Sequence, residues 1–212
     1  VVADFQTSGR GQRGNSWESD PSKNLLFSTV IFPEFLEARR QFLISQIISL
    51  AIKEELDTYT SDISIKWPND IYWHDKKIAG ILIENVLSGS TFSRAIIGMG
   101  LNINQKNFYS DAPNPVSLYQ ITGRTYKIEK ILDEFTEDFG KRYTDTFTNS
   151  SDRIHKEYIA ALYRNDGVYP FYSDGNIFHA SIADVELDGH LLLSTESGEK
   201  KRFAFKEVSF LL

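Results

Sequence analysis

Residues Gly9-Arg10-Gly11-Gln12-Arg13-Gly14 bring three glycines and two guanidiniums into one short segment. Glycine lets backbone N–H groups approach a ligand, and arginine forks onto carboxylate or phosphate oxygens, so the segment reads as an anion cradle. Two later segments extend it. Lys66-Trp67-Pro68-Asn69-Asp70 adds a fixed ammonium, and Gly98-Met99-Gly100-Leu101-Asn102 reads as a second glycine turn open to close approach. Together they point to chemistry on a carboxylate and a phosphate.

Gly9 to Gly14 also matches G-x-G-x-x-G, the dinucleotide-binding fingerprint, in which a helix N-terminus receives the pyrophosphate. Residues 15–23 carry no apolar helical period and lead into a strand-like run at 25–32, so this loop joins strand to strand. Other chemistries find little support. There is no cysteine, which excludes disulfides, thiolate catalysis and cysteine-based zinc sites, and fits a reducing cytoplasm. His74, His155, His179 and His190 show no paired spacing with carboxylates typical of a metal site. Glu129, Glu134, Glu137 and Asp138 read as a solvated acidic helix face. With a net charge of −6, no general field favours nucleic acid, so an anion must be held by local groups. The longest apolar run, residues 43–52, is broken by Ser45, Gln46 and Ser49 and is too short to span a membrane.

The elements that must position these residues follow from periodicity. Strand-like runs at 1–5, 25–32, 63–67, 77–86 and 92–98 suggest one mixed sheet. Residues 34–59, with Phe35, Phe42, Ile47, Leu50 and Leu56, fit a long amphipathic helix covering it. A turn at Asn69-Asp70, a short strand and a hairpin tip at 74–77 are expected to place Lys66 and Lys77 in neighbouring strands. Residues 127–162 turn helical, with a break at 148–152 that caps a second helix. After residue 166 the period becomes two, with turns at 173–176, 188–189 and 197–198, the pattern of a small β-barrel. The expected fold class is therefore α/β of the α+β type: a mixed sheet covered by helices at 1–165, then a small β unit at 166–212. The chain opens inside a strand and its single methionine is Met99, so a segment upstream is expected to be missing.

The order Gln6 to Gly14, then Lys66 to Asp70 with Lys77-Ile78-Ala79-Gly80-Ile81-Leu82, then Gly98 to Asn102 closely resembles the catalytic domain of biotin protein ligase (biotin–[acetyl-CoA-carboxylase] ligase). The likeness spans most of the chain, including a C-terminal unit similar to that family's SH3-like domain. It implies a two-step reaction: biotin and Mg²⁺-ATP give biotinyl-5′-AMP and pyrophosphate, and the acyl group then passes to a lysine of a biotin carboxyl carrier domain. It further implies that Gln6, Gly9, Arg10, Gly11, Gln12, Lys66, Gly80, Gly98 and Gly100 hold biotin. Arg10, Arg13, Trp17, Lys66, Lys77 and Asn102 would meet ATP or the adenylate, with Lys66 and Arg10 carrying catalysis. Trp67 reads as core. No enzyme nucleophile is needed, since alignment and charge stabilisation carry such a reaction.

The chain departs from the family pattern at Gln12, where arginine is usual, which removes a charge that Arg13 replaces or leaves unreplaced. The family's Ser-Thr-Asn segment and the DNA-binding helix-turn-helix of some members have no counterpart in these residues. Homodimerisation by sheet extension is common in the family. A lipoate–protein ligase-like enzyme and a non-catalytic biotin- or acyl-adenylate-binding module stand beside the ligase reading.

Overall fold

A computed structural model describes residues 1–211 except 13, 14, 35, 90, 111 and 146–150. The first sheet contains β1 (Val2–Ala3), β2 (Leu25–Ile31), β3 (Ile63–Lys66), β4 (Asp70–Trp73), β5 (Lys76–Ser88) and β6 (Thr91–Leu101), in the order β1-β2-β6-β5-β4-β3. All of its ladders run antiparallel, and among the described residues parallel pairing is confined to the isolated bridges Ile65–Leu162 and Lys77–Pro115. Alternation along the strands sends Leu25, Ala79, Ile81, Ile97 and Leu101 into the core.

Helix α1 (Phe42–Asp57) packs on that apolar face. Its start lies later than the expected 34–59 helix, after a short 3₁₀ turn at Ala38–Arg40; Phe35 lies outside the described residues. The helix is buried nearly all round because α3 (Ile128–Asp145) and α4 (Ser151–Ala160) cover its second side. Its polar interruptions are buried too: Ser45 donates to the Pro68 carbonyl at 3.0 Å, and the Gln46 amide meets His155 Nδ1 at 3.0 Å. The break between α3 and α4 falls partly on 146–150, outside the described residues. A short helix, α2 (Leu118–Thr122), opens on a capping box, with Ser117 and Gln120 bonding each other's backbone, and closes on Gly123 at φ +72°.

The second sheet has the order β10-β9-β8-β7-β11, from β7 (Tyr169–Ser173), β8 (Asn176–Val185), β9 (Leu191–Thr195), β10 (Lys200–Phe203) and β11 (Ser209–Phe210). Phe171, Ala180, Val185, Leu191 and Leu193 fill its inner face with at most 1% exposure. The described residues include no helix long and apolar enough to cross a membrane.

Candidate active site

One cross-strand row organises the face of the first sheet opposite α1. Lys66 in β3 stands opposite Asp70 in β4, Asp70 opposite Gly80 in β5, Gly80 opposite Gly100 in β6, and Gly100 opposite Leu26 in β2. The neighbouring row runs Leu82, Gly98, Ser28. The Gly98–Leu101 segment, expected at a turn, thus lies inside β6. These glycines bare the sheet surface rather than reverse the chain. Lys66 and Lys77, expected in neighbouring strands, are separated by β4, because residues 70–73 form a full strand between them.

The bared surface is filled by Trp17. A Cβ on Gly100 would meet Trp17 Cζ2 and Nε1 at 2.6 Å, and one on Gly80 would meet Cζ3 at 3.1 Å. Gly98 is less constrained, with no atom nearer than 3.8 Å to its virtual Cβ. Trp17 is delivered by the glycine loop, which closes on itself: Gly11 N donates to Asn15 O at 2.7 Å, Trp17 N to Gly9 O at 3.0 Å, and Arg10 bridges Ser16. The Gly11 N–H is therefore engaged within the loop, and the anion contact falls to the exposed Arg10 side chain, which makes no ion pair among the described residues. Arg13 and Gly14 lie outside the described residues.

The loop, the strand rows and the end of the second sheet enclose a cleft of about 920 Å³, within the size range of small-molecule and cofactor sites. It gathers Gln6, Arg10, Gly11, Gln12, Trp17, Lys66, Lys77, Gly80, Gly98 and Gly100 from the sequence expectation, and adds Asp70, Tyr72 and Phe210. Gly9 and Asn102 do not line it. Gly9 lies beneath the Trp17 backbone, and Asn102, 2% exposed, donates to the Val116 carbonyl at 3.2 Å.

The two lysines differ electrostatically. Lys77 Nζ is 2.7 Å from an Asp70 carboxylate oxygen and 5.8 Å from the Trp17 ring centroid. Lys66 Nζ donates to the Tyr72 hydroxyl at 2.9 Å. Burial pushes the Lys66 ammonium below the ordinary lysine range; Asp70 opposes this, while Lys77 and Arg164 add to it. Two polar atoms at the cleft, Gln12 Oε1 and Trp17 Nε1, are buried without a hydrogen-bond partner among the described residues. An orphaned acceptor and donor beside Arg10 and two ammoniums suit a ligand with both polar and anionic groups.

Residues missed in the sequence include Glu18, whose carboxylate accepts from Tyr109 N and Ser110 N, both at 2.8 Å, and so ties the 107–110 segment to the loop's end. Burial pushes its carboxyl up, but these donors outweigh that and hold it below the ordinary range. The histidines also gain partners absent from linear spacing: His155 Nε2 lies 2.8 Å from Asp184, and Glu186, Asp188 and His190 converge on the Arg202 guanidinium.

Fold and cleft together resemble those of the biotin/lipoate ligases. A biotin protein ligase from Aquifex aeolicus, solved in complex with biotin and ATP, superposes with a TM-score of 0.80 at 26% identity, covering 98% of this chain and 86% of that one. The bifunctional ligase/repressor BirA of Bacillus subtilis is 28% identical over 211 residues, 96% of this chain and 64% of the relative. A biotin–[acetyl-CoA-carboxylase] ligase of Paracoccus denitrificans is 29% identical over 171 residues, covering 77% of this chain and 70% of the relative. Residues 1–102 match the Biotin/lipoate A/B protein ligase family. That match covers just under half of the chain, and the chain spans 64% of the length of the BirA relatives.

Proposed function

We propose that this chain is an ATP-dependent biotin protein ligase, a biotin–[acetyl-CoA-carboxylase] ligase. The observation that carries the reading is the convergence of Arg10, Lys66 and Lys77 on one cleft whose floor is stripped of side chains at Gly80, Gly98 and Gly100. In this reading the biotin carboxylate attacks the α-phosphorus of ATP, pyrophosphate leaves, and a carrier lysine amine then attacks the acyl carbon with AMP leaving. Arg10 steers the carboxylate and α-phosphate together. Lys66 offsets the charge that develops as the P–O bond forms. Gln6, Gln12 and the bared strands receive biotin, while Trp17 and Lys77 meet the adenylate. Mg²⁺ enters with ATP, held largely by phosphate oxygens.

The same reading takes residues 1–165 as the catalytic unit and 166–212 as an SH3-like unit that contributes Phe210 to the cleft wall. It makes a biotin carboxyl carrier domain the acceptor and the cytoplasm the setting, and sheet extension through the β1–β2 edge the route to a homodimer.

The test is mass-spectrometric detection of acyl-adenylate after incubation with Mg²⁺-ATP and biotin, with lipoate in parallel. Biotinyl-adenylate is expected, and Lys66→Ala is expected to slow its formation by roughly 100-fold or more. Adenylate from lipoate alone would transfer the assignment to a lipoate ligase. Biotin binding without adenylate would leave a binding module.

A further inference from the structure

We propose that Tyr72 is a positioning residue for Lys66: its phenol oxygen anchors the lysine Nζ at the cleft without neutralising it. The inference rests on the ligase reading for its consequence and on geometry for its content. Lys66 and Asp70 face each other across β3 and β4, and Ser64 and Tyr72 form the next same-face pair, so Tyr72 reaches Lys66 diagonally. The Nζ to Oη distance is 2.9 Å, and the same Nζ lies 5.5 Å from the Phe210 ring centroid.

A phenol and a carboxylate make different anchors. Lys77 is ion-paired to Asp70, so much of its field is cancelled locally. Tyr72 is 2% exposed and lies beside Asp70, Tyr163 and Asp75. Burial first and those neighbours next push its hydroxyl well above the ordinary tyrosine range, so it stays a neutral dipole. Asp70, Lys77 and Arg164 also act on the Lys66 ammonium, but Tyr72 makes the hydrogen bond that fixes its direction. The tyrosine is itself held: its ring packs against Tyr163 at 5.4 Å between centroids, and the Tyr163 hydroxyl donates to Asp75. A flexible four-carbon stem is thereby restricted before substrate arrives, which lowers the ordering cost at the reacting centre.

Tyr72→Phe keeps the ring and its packing and removes only the oxygen. In the intact chain it is expected to lower kcat for adenylate formation about tenfold or more while KM for biotin stays within about twofold. Carbon-13 NMR of ε-labelled lysine, with the Lys66 signal assigned from Lys66→Arg, is expected to show the Lys66 midpoint falling by about one unit in Tyr72→Phe, because an acceptor that favours the ammonium is lost. A wild-type kcat or an unmoved Lys66 midpoint overturns the positioning role. A wild-type chain that makes no adenylate sinks the ligase reading instead, and the lysine titration still decides on Tyr72.

Discussion

Gly100 shows how one missing side chain shapes the cleft. It sits opposite Gly80 on one side and Leu26 on the other, and the pair of bare positions is where the Trp17 indole rests. Any larger residue must move that ring or the strand beneath it. Gly100→Ala is expected to displace Trp17 and weaken ATP binding about tenfold, whereas Gly98→Ala, whose Cβ meets nothing nearer than 3.8 Å, is expected to change it by less than about twofold. Isothermal titration with a non-hydrolysable ATP analogue checks both; equal losses would mean that Trp17 does not depend on the gap. The glycines were legible in sequence as close-approach positions, but not their alignment. Gly80 and Gly100 become neighbours only when β5 and β6 pair.

At the scale of elements, α1 carries a cost that its apolar pattern conceals. Glu55 is 2% exposed on a helix packed largely with isoleucine and leucine, and its Oε1 has no hydrogen-bond partner among the described residues. Burial pushes its carboxyl up to about 7, the nearby Tyr59 hydroxyl works against this, and Glu134 and Asp138 push it further up. Between its ordinary value of 4.5 and about 7 the folded chain binds more proton than the unfolded one, so stability falls as pH rises through that window and stays lower above it. Glu55→Gln is expected to gain on the order of 1–3 kcal/mol at pH 8 and much less at pH 4.5. Urea unfolding at the two values measures the difference, and a pH-independent gain would refute the carboxyl's part in it. The helix itself was legible from its period. Its burial on both sides was not, since that depends on α3 and α4, far along the chain.

Across the whole molecule, the second sheet braces the strand that carries Lys66. Trp67 Nε1 donates to the Gly189 carbonyl at 2.9 Å, His155 joins α4 to Asp184 of β8, and Arg164 donates to the Leu211 carbonyl at 2.5 Å. Gly189 has φ +96°, and a Cβ there would meet Phe42 Cδ2 at 2.6 Å. Gly189→Ala is expected to destabilise the chain by about 1–3 kcal/mol and to slow adenylate formation at a temperature where it remains folded, because the hairpin lifts from Trp67. Thermal unfolding with a matched rate assay tests this; a loss of stability with an unchanged rate would confine Gly189 to the fold.

The sequence by itself determined the chemistry on offer: a glycine-arginine loop, two lysine-bearing segments, bare glycines in a strand-rich region, and a separate two-period tail. Such features are local, since residue type, spacing and period are set along the chain. Only the tertiary structure decided which groups meet. It engaged the Gly11 amide within its own loop, separated Lys66 from Lys77 by a strand, gave one a carboxylate and the other a phenol, and withdrew Asn102 from the cleft. The partner each lysine meets depends on strand register, where shifting the pairing by one residue sends every side chain to the other face.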